Sequence, residues 1–128
     1  MRYCMFVLSL LFMIGCDDVS FSPMNGKWQL KTIEKSGVVT PVDTVWYNFQ
    51  SMSVFSLQIY EAQRDGYLSF EGLRKQKDKV CAIEIFNEAV FRYSDWTSLH
   101  RSFTIEKLNR RRLLLRSEEG VLYSFVKF

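Results

Sequence analysis

A single histidine, His100, and three cysteines are the side chains with the most versatile chemistry in this chain. A Ser-His-acid or Cys-His catalytic site would have to use His100, because there is no other histidine. His100 stands beside Arg101 in a polar segment, and Cys81 lies in an alternating stretch that predicts a buried strand position. A hydrolase that uses His100 is therefore the weakest of three functional hypotheses, and we predict no catalytic residue.

Metal and phosphate chemistry have few candidate residues. A zinc site needs three or four His, Cys or carboxylate ligands, whereas the chain beyond residue 16 offers one His and one Cys. Gly-rich phosphate loops and calcium-loop spacings are absent from the sequence. Glu84 and Glu106 alternate with apolar residues and could form a carboxylate pair, but two solvated glutamates on the outer face of strands are favoured. The sequence predicts no metal site and no cofactor.

Cys16 offers a different chemistry, because it ends a short apolar segment. Residues 4–14 form an apolar run after Arg2, and this run is shorter than the roughly 20 residues that a membrane-spanning helix needs. A basic residue, a short apolar core and a small residue before a cleavage point are typical of a secretory signal peptide. We therefore predict a signal peptide over residues 1–15.

The stretch Met13-Ile14-Gly15-Cys16 resembles the bacterial lipobox. By that resemblance Cys16 becomes the lipid-modified first residue of the mature protein, and residues 16–25 form the lipidated N-terminus and a tether. Two or more acyl chains hold a protein firmly to a bilayer. The predicted location is the cell envelope, and Asp17-Asp18 favours the outer membrane by analogy with some bacteria. The alternative is an ordinary signal peptide with a chance cysteine at its end.

Composition limits the class of the remaining chain. Removing residues 1–15 from the 128-residue chain leaves 113 residues, a common size for one domain. The same cleavage removes one Arg and no acid, so the net charge falls from +3 to +2, and this near balance argues against a nucleic-acid partner. With Cys16 acylated, Cys81 is the one thiol left, so no intramolecular disulfide is expected.

Apolar residues alternate with polar ones along most of the mature chain, which predicts strands. Arg64-Asp65-Gly66 is a hairpin turn signal. Residues 34–43 are predicted to form a longer loop that could contain a short extended piece, and the basic segment 72–79 is a predicted loop. The segment 94–100 is the expected place for a helical turn, with Ser94 or Asp95 as its cap. The predicted strands cover residues 27–34, 44–50, 53–60, 67–71, 80–86, 89–93, 102–108, 112–117 and 121–128.

Eight or nine short strands joined by tight turns suggest an antiparallel up-and-down meander, which hides its edges by closing into a barrel. Gly26-Lys27-Trp28 resembles the G-x-W signature at the start of the first strand of lipocalins, and the tail LLLRSEEGVLYSFVKF is similar to that of small lipocalin-like lipoproteins of Bacteroidetes-type bacteria. The resemblance implies an all-β, eight-stranded lipocalin-like barrel over residues 26–128, with little helix. It also implies that Trp28 closes the barrel bottom beneath an arginine from a late strand, for which Arg116 is the first candidate and Arg112 the second.

An inner face rich in aromatic and aliphatic residues gives the main functional hypothesis. A set of aromatic side chains could line a pocket for an apolar or sugar ligand, or could be the packed core of a small domain: Trp46, Tyr47, Phe49, Phe55, Tyr67 and Phe70. The first reading makes the protein a lipid-anchored envelope protein that binds or carries a small apolar ligand. The second makes it a tethered module with a filled barrel that binds an envelope protein. The predicted ligand-binding residues are Tyr47, Phe49, Phe55, Leu57 and Phe70.

Two basic clusters, residues 74–79 and 110–112, have no role in either hypothesis. Either cluster could face the phosphates of lipid headgroups, a plausible contact for a tethered domain. More often such runs are charged turns that keep hairpin ends soluble, and that interpretation is favoured here.

Overall fold

A computed structural model describes residues 23–128 and places nine strands and one short helix in that range. Within this range, no helix has the length and apolar character needed to cross a membrane. The predicted signal peptide and Cys16 lie outside the described residues. The elements are β1 (Gly26–Lys35), β2 (Val38–Pro41), β3 (Val45–Phe49), β4 (Val54–Glu61), β5 (Gly66–Lys77), β6 (Val80–Ile85), α1 (Val90–Tyr93), β7 (His100–Leu108), β8 (Arg112–Ser117) and β9 (Leu122–Lys127).

Eight of the strands form a closed antiparallel barrel. β1 pairs with β3, each strand from β3 to β9 pairs with the next, and β9 returns to β1 with Trp28 opposite Lys127 and Glu34 opposite Leu122. β2 is an additional strand that folds back on the second half of β1, through a turn in which Ser36 and Gly37 have φ values of 52° and 80°. The predicted all-β, up-and-down, eight-stranded barrel with little helix is confirmed.

The barrel has two different ends. We call the end that carries residues 23–25 and the turns 50–53, 78–79 and 109–111 the closed end. The opposite end carries the turns 36–37, 62–65 and 118–120 and the long connection 86–99, and we call it the mouth end. The strand registers fix this arrangement, because Gly26 pairs with Phe49 at one end while Glu84 pairs with His100 near the other. The described chain therefore begins and ends at the closed end.

Successive side chains of a strand point to opposite faces of the sheet, so every second residue points into the barrel. Along β8, for example, Leu113, Leu115 and Ser117 are buried while the residues between them are partly exposed. The same alternation along the other strands creates one continuous hydrophobic core. Its fully buried members include Met24, Trp28, Tyr47, Phe49, Phe55, Leu57, Cys81, Ile85, Val90, Leu113 and Leu115.

β5 is longer than predicted. The sequence suggested a strand over 67–71 followed by a basic loop over 72–79, but the strand continues to Lys77. Its alternation continues too, with Gly72 and Arg74 buried and Leu73 and Lys75 exposed. Gly72 permits a close approach of β6, because a Cβ there would lie 2.1 Å from the Glu84 carbonyl oxygen. The turn to β6 is instead made at Asp78, whose φ is 55°.

The helical turn lies earlier than predicted. Residues 89–93, a predicted strand, contain α1, whereas 94–99 is irregular. Asn87 starts the turn, because its Oδ1 accepts a hydrogen bond of 2.9 Å from the Ala89 amide. Ser94 ends it rather than capping its start, since the Ser94 hydroxyl donates to the Val90 carbonyl at 2.8 Å. The prediction of Ser94 or Asp95 as an N-terminal cap is therefore wrong.

Candidate functional site

The five predicted ligand-binding side chains lie together inside the barrel. Tyr47 and Phe49 on β3, Phe55 and Leu57 on β4 and Phe70 on β5 are all at most 6% exposed. The ring of Phe55 lies 5.5 Å from that of Tyr47 and 5.2 Å from that of Phe49, measured between centroids. The placement of these five side chains inside the barrel is confirmed, whereas Trp46 and Tyr67 of the wider aromatic set pack against each other on the outside. Because the five inner side chains pack against one another, their role in holding a ligand stays a prediction.

Trp96 fills the interior toward the mouth end. It comes from the irregular segment between α1 and β7 and is 1% exposed. Its indole Nε1 donates a hydrogen bond of 3.2 Å to the Tyr47 hydroxyl, and its ring lies 6.2 Å from Phe103. Burial raises the pKa of Tyr47 above its ordinary value, so the phenol stays neutral. The aromatic interior is thus closed from above by a tryptophan.

A pocket of about 520 Å³ opens above Trp96 at the mouth end. This volume lies in the range of small-molecule sites. The pocket is enclosed by the β1–β2 hairpin, the segment after α1 and the β8–β9 turn. Two cationic and three carboxylate side chains line it together with apolar and hydroxyl groups; the ionic members are Lys35, Arg101, Asp95, Glu118 and Glu119.

Arg101 forms the floor of this mouth pocket. Its guanidinium carbon lies 4.9 Å from the ring of Trp96, 4.8 Å from that of Phe103 and 5.1 Å from that of Tyr123. Such cation–π contacts are strongest where water is excluded, and the Arg101 side chain is only 11% exposed. Arg101 thus connects the aromatic interior to the polar mouth.

The polar contacts of Arg101 leave a buried nitrogen, Nη1, without a hydrogen bond. Nη2 donates to the Tyr123 hydroxyl at 2.7 Å, and that hydroxyl in turn donates to the carboxylate of Asp95. Nη1 lies 3.6 Å from the Asp95 carboxylate, and no acceptor among residues 23–128 forms a hydrogen bond with it although it is buried. A buried donor without an acceptor is costly, so Nη1 is the atom of the pocket that most needs a partner.

Burial and neighbouring groups set the charge states of Arg101 and Tyr123. Burial alone lowers the pKa of Arg101, but Tyr47, Tyr123 and Asp95 together raise it above its ordinary value, so the guanidinium remains charged. Burial, opposed by Arg101 and supported by Asp95, raises the pKa of Tyr123 to about 12. At neutral pH the cluster therefore presents a charged guanidinium beside a neutral phenol.

Trp28 closes the opposite end of the barrel. Its ring is fully buried, and its Nε1 donates to the Met24 carbonyl at 3.0 Å. The cation over this ring is Lys127, whose Nζ lies 4.6 Å from the centroid and also donates to the Asn25 carbonyl at 2.7 Å. Gly26 permits this contact, because its φ is 126° and a Cβ would lie 2.2 Å from the Lys127 Nζ.

Arg116 does not reach Trp28. It pairs with Leu122 near the mouth end, donates to both carboxylate oxygens of Glu106, and donates to the Gly120 carbonyl at 3.0 Å. The prediction that Arg116 lies over Trp28 is therefore wrong. Arg112, the second candidate, is on the correct end but is an exposed residue opposite Val126. A lysine on β9 takes the place that an arginine on β8 was expected to fill.

Comparison with known proteins agrees with this architecture. Residues 10–128 match a family model described as a lipocalin-like domain. The chain belongs to the lipocalin-like domain family. A solved structure of a lipocalin-like protein from Bacteroides uniformis is 27% identical, with a TM-score of 0.75 over 84% of this chain and 100% of that one. An uncharacterized protein from Bacteroides eggerthii shares the fold at 24% identity, with a TM-score of 0.71 over 81% of this chain and 98% of that one.

No protein of curated function matches this lipocalin-like domain. The fold is consistent with the binding of a small ligand, and proteins that share it are generally binding or transport proteins rather than enzymes. Function must therefore be argued from the site and not from the fold. The mouth pocket and its buried guanidinium are the features that carry that argument.

The histidine and the thiol of this lipocalin-like domain lie apart. His100 is at the mouth end, where its side chain is 75% exposed and its Nε2 is 3.9 Å from a Glu84 carboxylate oxygen. Cys81 is fully buried near the closed end, as predicted, and burial raises the pKa of its thiol to about 11. A thiol with that pKa is almost entirely protonated at neutral pH and is a poor nucleophile. Among residues 23–128, no group of three His, Cys, Asp or Glu side chains could hold a metal ion.

Sequence reasoning missed Arg101, Trp96 and Arg74. Arg101 was noted only as a neighbour of His100, and Trp96 lies in a segment without periodicity. Arg74 was assigned to a basic loop, yet it is 2% exposed and donates to Asn25 Oδ1 at 2.7 Å and to the Ser51 carbonyl at 2.8 Å. The alternation along β5 was the one signal that could have placed Arg74 inside.

Proposed function

We propose that this protein is a lipid-anchored binding protein of the bacterial cell envelope that holds a small amphipathic ligand in its mouth pocket. The observation that carries the proposal is the buried Nη1 of Arg101, a charged donor that lacks an acceptor at the pocket floor. Because Nη1 has almost no accessible surface, a ligand oxygen would reach it through a small rotation of the guanidinium and would then form a charge-assisted hydrogen bond. Burial of such a group against the guanidinium is what the pocket is best suited to do.

The lining also favours one kind of ligand. Three carboxylates outnumber two cations around the pocket, so a strongly anionic molecule is disfavoured. Ile33, Val121 and the ring of Tyr123 supply apolar contact beside the Arg101 guanidinium. The expected ligand is mainly apolar, carries one polar oxygen group and has no net charge. This is the small apolar ligand inferred from the sequence, bound above the aromatic interior rather than within it.

Substitution of Arg101 tests the binding proposal. A chain of residues 19–128 isolated gently from its host is expected to carry a small molecule that native mass spectrometry detects and that unfolding releases. In Arg101→Gln the adduct should be lost, because the loss of one hydrogen bond to a charged donor costs about 1.5–3 kcal/mol, or roughly 10- to 100-fold in affinity. Thermal denaturation of the same sample checks that the variant is folded.

Arg116→Gln is the matched control for this experiment. Arg116 is also near the mouth end but binds Glu106 on the outside of the barrel, so its replacement should leave the adduct in place. An adduct that survives in Arg101→Gln and disappears in Arg116→Gln would contradict the proposed site. A wild-type protein without any adduct would favour the second candidate function, a tethered protein-binding module.

The anchor is tested by labelling. A fatty-acid analogue fed to the producing cells should label the wild-type chain and fail to label Cys16→Ser, since the lipobox resemblance makes Cys16 the thiol that is acylated. Cys4→Ser is the matched control, because it removes the other cysteine of the N-terminal segment and should retain full labelling. Equal labelling of the wild type and Cys16→Ser would exclude the proposed anchor.

A tethered protein-binding module is the second candidate function. It is favoured by the packed aromatic interior and by the outer edge of β2, the terminal strand of the sheet order, where Val38 and Val39 are 66% and 56% exposed. Exposed apolar edge strands are common sites for the addition of a partner strand. Under this function, Val38→Lys would abolish capture of an envelope protein while Arg101→Gln would leave it intact.

A further inference from the structure

The exposed charges of the described residues are divided between the two ends of the barrel. The two basic clusters recognised in the sequence are on separate hairpins, 78–79 and 109–111, and the strand registers bring both hairpins to the closed end. The cationic side chains exposed there are Lys75, Lys77, Lys79, Lys107, Arg110, Arg111 and Arg112.

The mouth end has the opposite character. Asp78 is the one acid in the three closed-end turns, whereas most described acids lie on the mouth-end loops and the adjoining strand ends. The mouth-end acids are Glu34, Asp43, Glu61, Asp65, Glu88, Asp95, Glu118 and Glu119. Lys35, Arg64, Arg92 and Arg101 also lie at the mouth end, but the acids there outnumber them. The small net charge of the chain, +3, therefore conceals a strongly basic closed end and a mouth end with a net negative charge.

The chain enters the barrel at the basic end. Asn25 is held there by Arg74 and Lys127, with donor–acceptor distances of 2.7 Å to its Oδ1 and to its carbonyl oxygen respectively, and the buried Met24 side chain packs just before it. Six residues lie between Cys16 and Pro23, and the seven residue-to-residue steps can span at most about 25 Å. A lipid on Cys16 would thus hold the closed end, and not the mouth, next to the bilayer.

We propose that the closed end is a membrane-docking face that binds the anionic phosphate headgroups of lipids. This inference rests on the proposed lipid anchor, since the short tether is what selects a bilayer over any other polyanion. Each Lys or Arg close to an anionic bilayer increases binding about fivefold. The attraction acts within about 8 Å at physiological salt, and a tether of this reach keeps the face at high effective concentration near the lipid.

Apolar side chains on this face and beside it support the docking. Met52 in the turn 50–53 is 48% exposed at the closed end, and the C-terminal Phe128, which is 68% exposed, packs on the adjoining outer wall against Trp46 and Lys27. Aromatic and apolar side chains among cations are suited to the headgroup region of a bilayer. In the docked state the mouth pocket faces away from the membrane and stays open to ligand.

The lipidated chain reconstituted on vesicles tests this orientation. A fluorophore is attached to Ser53→Cys at the closed end or to Ala62→Cys at the mouth end; the buried Cys81 should remain unlabelled. On vesicles of phosphatidylcholine with about one third phosphatidylglycerol, headgroup-bound quencher should quench the closed-end probe at least threefold more than the mouth-end probe. The excess quenching of the closed-end probe should fall to the level that the tether alone maintains in 0.5 M NaCl, with phosphatidylcholine alone, and in Arg110→Glu/Arg111→Glu, but stay unchanged in the matched mouth-end variant Arg64→Glu/Arg92→Glu. An excess that none of the first three conditions lowers would overturn the docking face.

The failures of the anchor and of the docking face are distinguishable. If the protein floats with the vesicles but both probes are quenched equally, the anchor stands and the docking face is wrong. If the protein does not float, the anchor is wrong. In that case the basic face alone should still bind the protein to the anionic vesicles at low salt. The partition coefficient should then fall at least 25-fold in Arg110→Glu/Arg111→Glu. Absence of that binding would overturn the docking proposal as well.

Discussion

Trp96→Ala is expected to destabilise the protein by about 3–5 kcal/mol and to convert its filled barrel into one with an apolar cavity. Trp96 is 1% exposed and contacts Tyr47, Phe103 and Arg101. Removal of the indole leaves the Tyr47 hydroxyl without its donor and opens the aromatic interior to the mouth pocket. The variant should therefore gain the apolar site that the sequence suggested for Tyr47 and its neighbours.

Two measurements on residues 19–128 check this result. Urea denaturation gives the change in the free energy of unfolding, and titration with the apolar fluorophore N-phenyl-1-naphthylamine reports the cavity as saturable binding that the wild type shows only weakly. Trp46→Ala is the matched control. Trp46 is 7% exposed but packs on the outside of the barrel against Tyr67 and Phe128, so its removal should lower stability without creating a probe site. Unchanged probe binding in Trp96→Ala would mean that Trp96 does not separate the interior from the mouth.

Because Trp96 fills the space beside the aromatic inner face, the sequence alone could not decide whether that face is a packed core or a ligand pocket. The period of two placed Tyr47, Phe49 and Phe55 on one inner face, and the structure confirms that placement. Whether such a face is core or pocket depends on what lies opposite it. Here the side chain opposite the face is the indole of Trp96. Trp96 lies in the irregular segment 94–99, whose sequence has no periodicity from which the direction of the side chain could be predicted.

The burial of charged residues was also hard to predict from the sequence. A run of basic residues is typical of a solvated turn, yet Arg74 is buried while Lys75 is exposed, because β5 continues through the run. Asn25, Ser51 and Gln76 accept hydrogen bonds from the buried Arg74. Gln76 is on the same strand, whereas Asn25 and Ser51 come from distant parts of the chain that the fold brings to the closed end. Strand periodicity predicts the elements, whereas such partners are decided by the registers between them.

The identity of the cation over Trp28 was misjudged for a related reason. The resemblance to lipocalins implied an arginine on a late strand, and Arg116 satisfied that description in the sequence. In the barrel, β9 and not β8 is the neighbour of β1, and its Lys127 pairs directly with Trp28. Arg116 lies near the other end of the barrel and has Glu106 as its partner. The expectation of an arginine over Trp28 thus fails here because the pairing of β9 with β1 places Lys127 closer to the indole.

Arg74→Met is expected to destabilise the protein by about 3 kcal/mol, which should lower the melting temperature by more than about 10 °C. The substitution removes donors to Asn25 Oδ1, the Ser51 carbonyl and Gln76 Oε1, at 2.7, 2.8 and 2.6 Å. It also relieves the cost of burying a charge, which is the main reason that the pKa of Arg74 is lowered. Because three acceptors lose their partner at once, the loss should exceed the relief.

The neighbouring Lys75→Met is the matched control, since Lys75 is exposed on the same strand and its loss should change stability by less than about 0.5 kcal/mol. Alkylation of Cys81, the one thiol of residues 19–128, provides a second readout. Arg74 lowers the Cys81 pKa against the effect of burial, so its removal makes the native thiol still less reactive. Faster alkylation in Arg74→Met can therefore come only from opening of the closed end, whereas slower alkylation with unchanged stability would show that Arg74 does not fasten Asn25 to the barrel.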